Sequence, residues 1–114
     1  MLSPKSATFV DVIHTNGGNL SYFPSHYGLL EPRGHLDFYP GGGQTQPGCE
    51  ESAASCSHSR AIHYFLHSIR EPELFPARLC HSVAQCADGV RMGRLGSCLV
   101  LTPGGRNCCQ GLHW

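Results

Sequence analysis

Hydrophobic positions gather in four short stretches of this chain, and the spacing within each predicts a different element. Thr8 to His14 reads Thr-Phe-Val-Asp-Val-Ile-His, a β-branched run bounded downstream by Asn16-Gly17-Gly18, and so predicts a strand closed by a turn. Its nearly continuous apolar character (Phe9, Val10, Val12, Ile13) is that of a parallel strand covered on both faces. No other segment offers itself as a good partner for it. Leu36 to Tyr39 reads as a short extended segment before the Pro40-Gly41-Gly42-Gly43 turn. Over Ser59 to Ser68 and on to Ile69, the residues Ala61, Ile62, Phe65, Leu66 and Ile69 recur at helical spacing, and Glu71-Pro72 ends the helix. Cys98 to Thr102 has the apolar character of a further strand. The stretch from Asn16 to Gly48 is rich in Gly, Pro and aromatic residues and keeps no period; so long a loop in a compact domain is usually functional. One strand, one helix and many loops do not make an independent core.

Composition narrows the class. Eight Lys plus Arg balance eight Asp plus Glu, with no basic run, which argues against nucleic acid or an acidic membrane surface as the main partner. Hydrophobic residues make up 40% of the chain, enough to disfavour full disorder. No apolar stretch approaches the length of about 18 residues that a transmembrane helix needs. Met1 to Val10 holds one Lys and no apolar core, so it is not a signal peptide. The seven cysteines, at 49, 56, 80, 86, 98, 108 and 109, point the other way, to an oxidising compartment with disulfides and one thiol left over. Secretion without an export signal implies that something is missing at the front.

Four motifs stand in order: Phe9-Val10-Asp11-Val12-Ile13-His14-Thr15, Gly34-His35-Leu36-Asp37-Phe38-Tyr39-Pro40, Gln46-Pro47-Gly48-Cys49 and Cys56-Ser57-His58-Ser59-Arg60. Together they resemble the pancreatic-lipase family of secreted α/β-hydrolases, which includes triacylglycerol lipases, phospholipases A1 and insect yolk proteins. The resemblance runs over residues 7–70, thins after Cys80, and leaves Met92-Gly93 and Leu101-Thr102 as remnants of a later strand. It implies residues 1–93 as the C-terminal part of a lipase domain and 94–114 as a divergent Gly- and Cys-rich tail. The implied fold class is α/β: a partial α/β-hydrolase with the C-terminal portion of the sheet, the lid loop and the catalytic-His region, incomplete and poorly folded alone. The signal peptide, the GxSxG nucleophile elbow and the acid Asp would lie upstream, and no GxSxG occurs in this sequence.

The resemblance assigns His58 as the general base, in a loop just before the helix, taking the serine proton and returning it to the leaving alcohol. On sequence alone, a His beside a Cys is more often structural. The resemblance also implies that Cys49 and Cys56 close the lid loop and that Cys80 pairs with Cys86. Read from spacing alone, these four with His58 could instead be free thiols or zinc ligands, although none has the short knuckle spacing of structural zinc sites. Cys98, Cys108 and Cys109 have no clear counterparts. Six residues separate Cys49 from Cys56, and a short lid favours a phospholipid or other polar lipid over triacylglycerol.

His35, Asp37 and Asp11 read as scaffold. The i, i+4 pair His63 and His67 lacks the H-E-x-x-H glutamate and reads as solvated or helix-packing. Ser3 and Ser6 stand where vertebrate family members carry calcium-binding acids, which predicts no calcium site, and no cofactor or other metal is expected. The expected function is lipid ester hydrolysis by the full-length parent through an acyl-enzyme, at a lipid–water interface, with this chain inactive by itself. The alternative is a catalytically dead homologue such as a yolk or lipid-binding storage protein. A small, complete, cysteine-rich secreted binding protein would need a signal peptide.

Overall fold

The computed structural model describes residues 1–18, 26–75, 77–80 and 97–101. Among these described residues six strands and one long helix follow in chain order: β1 (Asp11–Ile13), β2 (Gly17–Gly18), β3 (Gly28–Leu29), β4 (Leu36–Pro40), α1 (Ala54–Arg70), β5 (Ala77–Cys80) and β6 (Ser97–Leu101). Four of them form a mixed sheet in the order β1-β4-β6-β5, with β1 parallel to β4, β4 antiparallel to β6, and β5 parallel to β6. The short β2 and β3 pair in parallel as a second sheet. The described residues thus make a small α/β arrangement.

The predicted strand at Thr8 to His14 shortens to Asp11–Ile13, and it does have a parallel neighbour: Asp11, Val12 and Ile13 stand opposite Leu36, Asp37 and Phe38. The lack of a partner, one ground for expecting a poorly folded chain, is therefore overturned. The extended segment expected at Leu36 to Tyr39 is β4, with an aspartate at its second position and a proline at its end. Asp37 is admitted because backbone donors and a histidine meet it there. Nor is β1 covered on both faces, for Val12 and Ile13 are half-buried and Asp11 is exposed. Upstream of it, the exposed ring of Phe9 lies parallel to that of His35 with centroids 6.1 Å apart.

Two backbone hydrogen bonds set the β1–β4 register, His35 and Leu36 both donating to Val10 O at 2.7 and 3.3 Å. After β4 the chain turns through Gly41–Gly43, all three at positive φ (58°, 79° and 77°), a region that favours glycine. A Cβ on Gly43 would stand 2.6 Å from Tyr39 Cδ1, so a side chain there would displace a buried ring. The core gathers around this turn: Phe38, Tyr39, Gln46, Cys49 and, from beyond the helix, Phe75 are all buried.

α1 is longer than its periodicity predicts, running from Ala54 to Arg70 and stopping before Pro72 as expected. Its apolar stripe does not face the described core. Ile62 and Ile69 are each 65% exposed, Phe65 and Leu66 each 53%, while Ser57 and Ser68 are buried. Periodicity reveals an amphipathic helix but not which face is buried. Here the small polar residues pack inward, where their hydroxyls find partners. The strand expected at Cys98 to Thr102 is β6, Ser97–Leu101, which sits between β4 and β5; Thr102 lies outside the described residues.

Candidate active site

His58 lies within α1, in its opening turns, rather than in a loop before the helix. The helix starts at Ala53, an alanine with no side-chain cap, so the usual capping oxygen does not define its beginning. A covalent tie stands close by instead: Cys49 and Cys56 form a disulfide with Cα atoms 5.7 Å apart. As a bridged pair, neither is a thiolate ready for zinc. Cys86 lies outside the described residues, so the expected Cys80–Cys86 pair does too.

Two contacts place His58. Its carbonyl accepts from Thr15 Oγ1 at 3.3 Å, joining the helix to the end of β1. Its ring meets that of Tyr27 edge-on, with centroids 5.7 Å apart. On this side of the sheet lies a cavity of about 250 Å³ lined by His58, Ala61, Tyr27, the end of β1 from Val12 to Asn16, and Met1, Leu2, Leu29 and Arg33. Of its thirteen lining residues six are polar or charged, His14, Thr15, Asn16, Tyr27, Arg33 and His58, and the rest are apolar or glycine.

A second histidine, His14, lines the same cavity but is held differently. Its Nε2 is 2.8 Å from Asp37 Oδ1, its Nδ1 is 2.7 Å from Leu29 O, and its ring stacks on Tyr39 at 4.3 Å. Asp37 also accepts from Arg33 N at 2.8 Å and from Gly34 N at 3.0 Å. Its partner is thus His14, not His58, in keeping with a scaffold role. Tyr39 donates to Leu30 O at 2.8 Å. Burial, then the charges of Asp37 and Glu31, push its phenol pKa well above the ordinary tyrosine range.

His35 Nδ1 accepts from Val10 N at 3.0 Å, which makes it structural. His67 Nε2 stands 2.7 Å from Glu71 Oε2 and its ring meets Phe75 edge-on at 5.1 Å, while His63 is exposed. Ser3 and Ser6 cap a short turn, Ser6 Oγ accepting from Ser3 N and Ser3 Oγ from Lys5 N. Among the described residues no helix is long and apolar enough to cross a membrane.

One motif residue has a role that the sequence does not reveal. Gln46 is wholly buried, and its amide is at the centre of the loop that leads to His58. A glutamine in a Gly- and Pro-rich loop carries no periodic signal, so nothing in the spacing singles it out.

With this geometry in place, comparison with known proteins is decisive. The family model described as "Lipase" matches residues 1–98. The chain belongs to the lipase family. Human pancreatic lipase-related protein 3 is 37% identical over 99 residues, covering 71% of this chain and 21% of the relative. Human inactive pancreatic lipase-related protein 1 is 39% identical over 98 residues, with the same two shares. The hepatic triacylglycerol lipase of Oryctolagus cuniculus is 35% identical over 120 residues, covering 90% of this chain and 22% of its own length. The chain spans about a fifth of the length of the curated lipases it matches. The match lends no support to the expected placement in the C-terminal part of the family's domain, and that placement is set aside.

Proposed function

We propose that this chain carries the general-base histidine, His58, of a lipase that hydrolyses carboxylic esters of lipids. The observation that supports the reading is the placement of His58: its backbone is tied to Thr15, just past a parallel strand, its ring meets Tyr27, and the exposed residue lines a cavity. In such an enzyme the imidazole takes the proton of a serine hydroxyl as the serine attacks the ester carbonyl, then hands it to the departing alcohol. The serine and the orienting acid would come from a longer parent with an α/β-hydrolase fold, since the 114 residues contain no GxSxG elbow. The substrate class is a phospholipid or glyceride at a lipid–water interface, the six-residue interval between Cys49 and Cys56 favouring the phospholipid. The disulfide supports an extracellular setting, where such bonds persist.

The test compares a full-length parent with its His58→Ala variant. Ester turnover and labelling of a serine by a fluorophosphonate should be present in the parent, and turnover should fall at least ~10³-fold in the variant. Undiminished turnover without His58 would overturn the assignment. The 114-residue chain alone should show no esterase activity above its own His58→Ala control.

A second reading has one observation in its favour: a relative named as an inactive lipase-related protein is 39% identical to this chain. In that case the parent would bind lipid without hydrolysing it. A parent that binds vesicles but neither turns over esters nor reacts with the fluorophosphonate would decide for it.

A further inference from the structure

We infer that Gln46 is a positioning residue for His58, an inference that rests on reading His58 as the base. The Gln46 side chain is 1% exposed, yet each end of its amide is met. Nε2 donates toward Pro40 O at 2.8 Å, Gln44 O at 3.0 Å and Thr15 O at 3.3 Å, while Oε1 accepts from Tyr64 OH at 3.0 Å. One amide thereby joins the chain just past β1, the end of β4, its own turn and the middle of α1.

These ties converge on the backbone of His58. Gln46 N donates to the buried Ser57 Oγ at 2.9 Å, fixing the residue immediately before it. Thr15, whose carbonyl takes the long contact from Gln46, donates its hydroxyl to the carbonyl of His58 itself. The helix is thus held at Ser57 and Tyr64, one on each side of His58, and the strand end it leans on is held by the same side chain. Since α1 has no side-chain N-cap and its apolar stripe faces away from the described core, these polar contacts fix its opening turns. Misplacing a catalytic group by about 1 Å can cost roughly 10²-fold in rate, so such a clamp serves the reaction without touching substrate.

The experiment is nuclear magnetic resonance on the 114-residue chain, comparing two ring–ring cross-peaks. The Tyr27–His58 contact reports His58, and the His14–Tyr39 stack reports the sheet. Gln46→Met keeps the length of the side chain but removes its donors and acceptor. It should abolish the Tyr27–His58 cross-peak and shift the His58 ring resonances while the His14–Tyr39 cross-peak persists. Tyr64→Phe, which withdraws one partner only, should weaken the same cross-peak and guards against a Gln46→Met chain that does not fold. An unaltered Tyr27–His58 cross-peak in both variants, its absence from the unsubstituted chain, or equal loss of both cross-peaks in Tyr64→Phe would overturn the inference. The readout is geometric, so failure of His58 as a base would show separately, as turnover retained by the His58→Ala parent.

Discussion

His14 and Asp37 meet at 2.8 Å with both side chains buried, Asp37 completely so. The pair spans the two parallel strands, His14 directly after β1 and Asp37 within β4, and Leu29 of β3 completes it at His14 Nδ1. The carboxylate also draws the Arg33-Gly34 backbone toward itself, which shapes the loop entering β4.

Breaking this pair should therefore be costly. Asp37→Ala leaves a buried imidazole and two backbone N–H groups without their acceptor, and about 3–5 kcal/mol of stability should be lost. The exposed ion pair of Arg33 with Glu31 is the contrast: Glu31→Ala should cost less than about 1 kcal/mol. Urea unfolding followed by circular dichroism compares the two. Equal costs would mean that the buried pair contributes no more than a surface one.

Tyr39 makes stability fall in alkali. An unfolded tyrosine ionises near 10.0, whereas burial and the nearby Asp37 and Glu31 charges raise the pKa of folded Tyr39 well above that. Above pH ~10 the unfolded state then binds fewer protons than the folded one, so stability falls as pH rises. The Tyr39 contribution is intact below pH ~10 and is lost as pH climbs toward its folded pKa. Tyr64 is shifted the same way by burial, with Arg60 opposing, and adds to the effect. Tyr39→Phe should flatten the slope between about pH 9 and pH 11.5 while lowering stability at neutral pH by about 1 kcal/mol, the worth of its bond to Leu30. Urea midpoints across that range test both halves.

How much of this was legible beforehand follows from what each residue type signals. The β-branched run around Val12 and the turn at Gly41 announce themselves through local chemistry, and the helix through its period. The pairing of β1 with β4 does not, because a strand with Asp37 buried inside it is stable only when Arg33, Gly34 and His14 supply that carboxylate's hydrogen bonds. His58 was legible only through the motif around it. Gln46 also stands in a motif, but its role was not legible, since it lies in four partners distant in sequence or at loop positions without pattern. The buried face of α1 was not legible for a related reason: apolar spacing cannot say which face is covered, and among the described residues Ser57 and Ser68 are buried.

The exposed stripe of α1 gives a direct check. Ile62→Ala should change stability by no more than about 0.5 kcal/mol, as expected of a residue that remains mostly in water. Phe75→Ala, which empties a buried site edged by Tyr64 and His67, should cost about 3–5 kcal/mol. Comparable losses at both positions would mean that the stripe is covered in solution.

Opening the disulfide should loosen the opening turns of α1. Closing a loop this short lowers the entropy of the unfolded chain by an amount worth about 2–3 kcal/mol. Ala53 offers no side chain to hold the helix start once the bridge is gone. The double variant Cys49→Ser, Cys56→Ser should lose about that much stability, and amide exchange at Ser57 and His58 should accelerate more than at Ser68. Uniform acceleration along the helix would count against a local role for the bridge.

The same bridge bears on substrate choice in a full-length parent. Only six residues lie between the cysteines, and the last two, Ala54 and Ser55, already belong to α1. What remains outside the helix is Glu50 to Ala53, which is exposed and carries two carboxylates. A segment of this size cannot fold over a cleft or present a broad apolar face to an oil droplet. A polar headgroup, by contrast, would enter past it unobstructed. The parent should therefore hydrolyse phospholipid in mixed micelles faster than emulsified long-chain triacylglycerol, and lengthening the Glu50–Ala53 segment should shift the ratio toward triacylglycerol. Faster turnover of the emulsion by the unmodified parent would show that the short loop does not govern the choice.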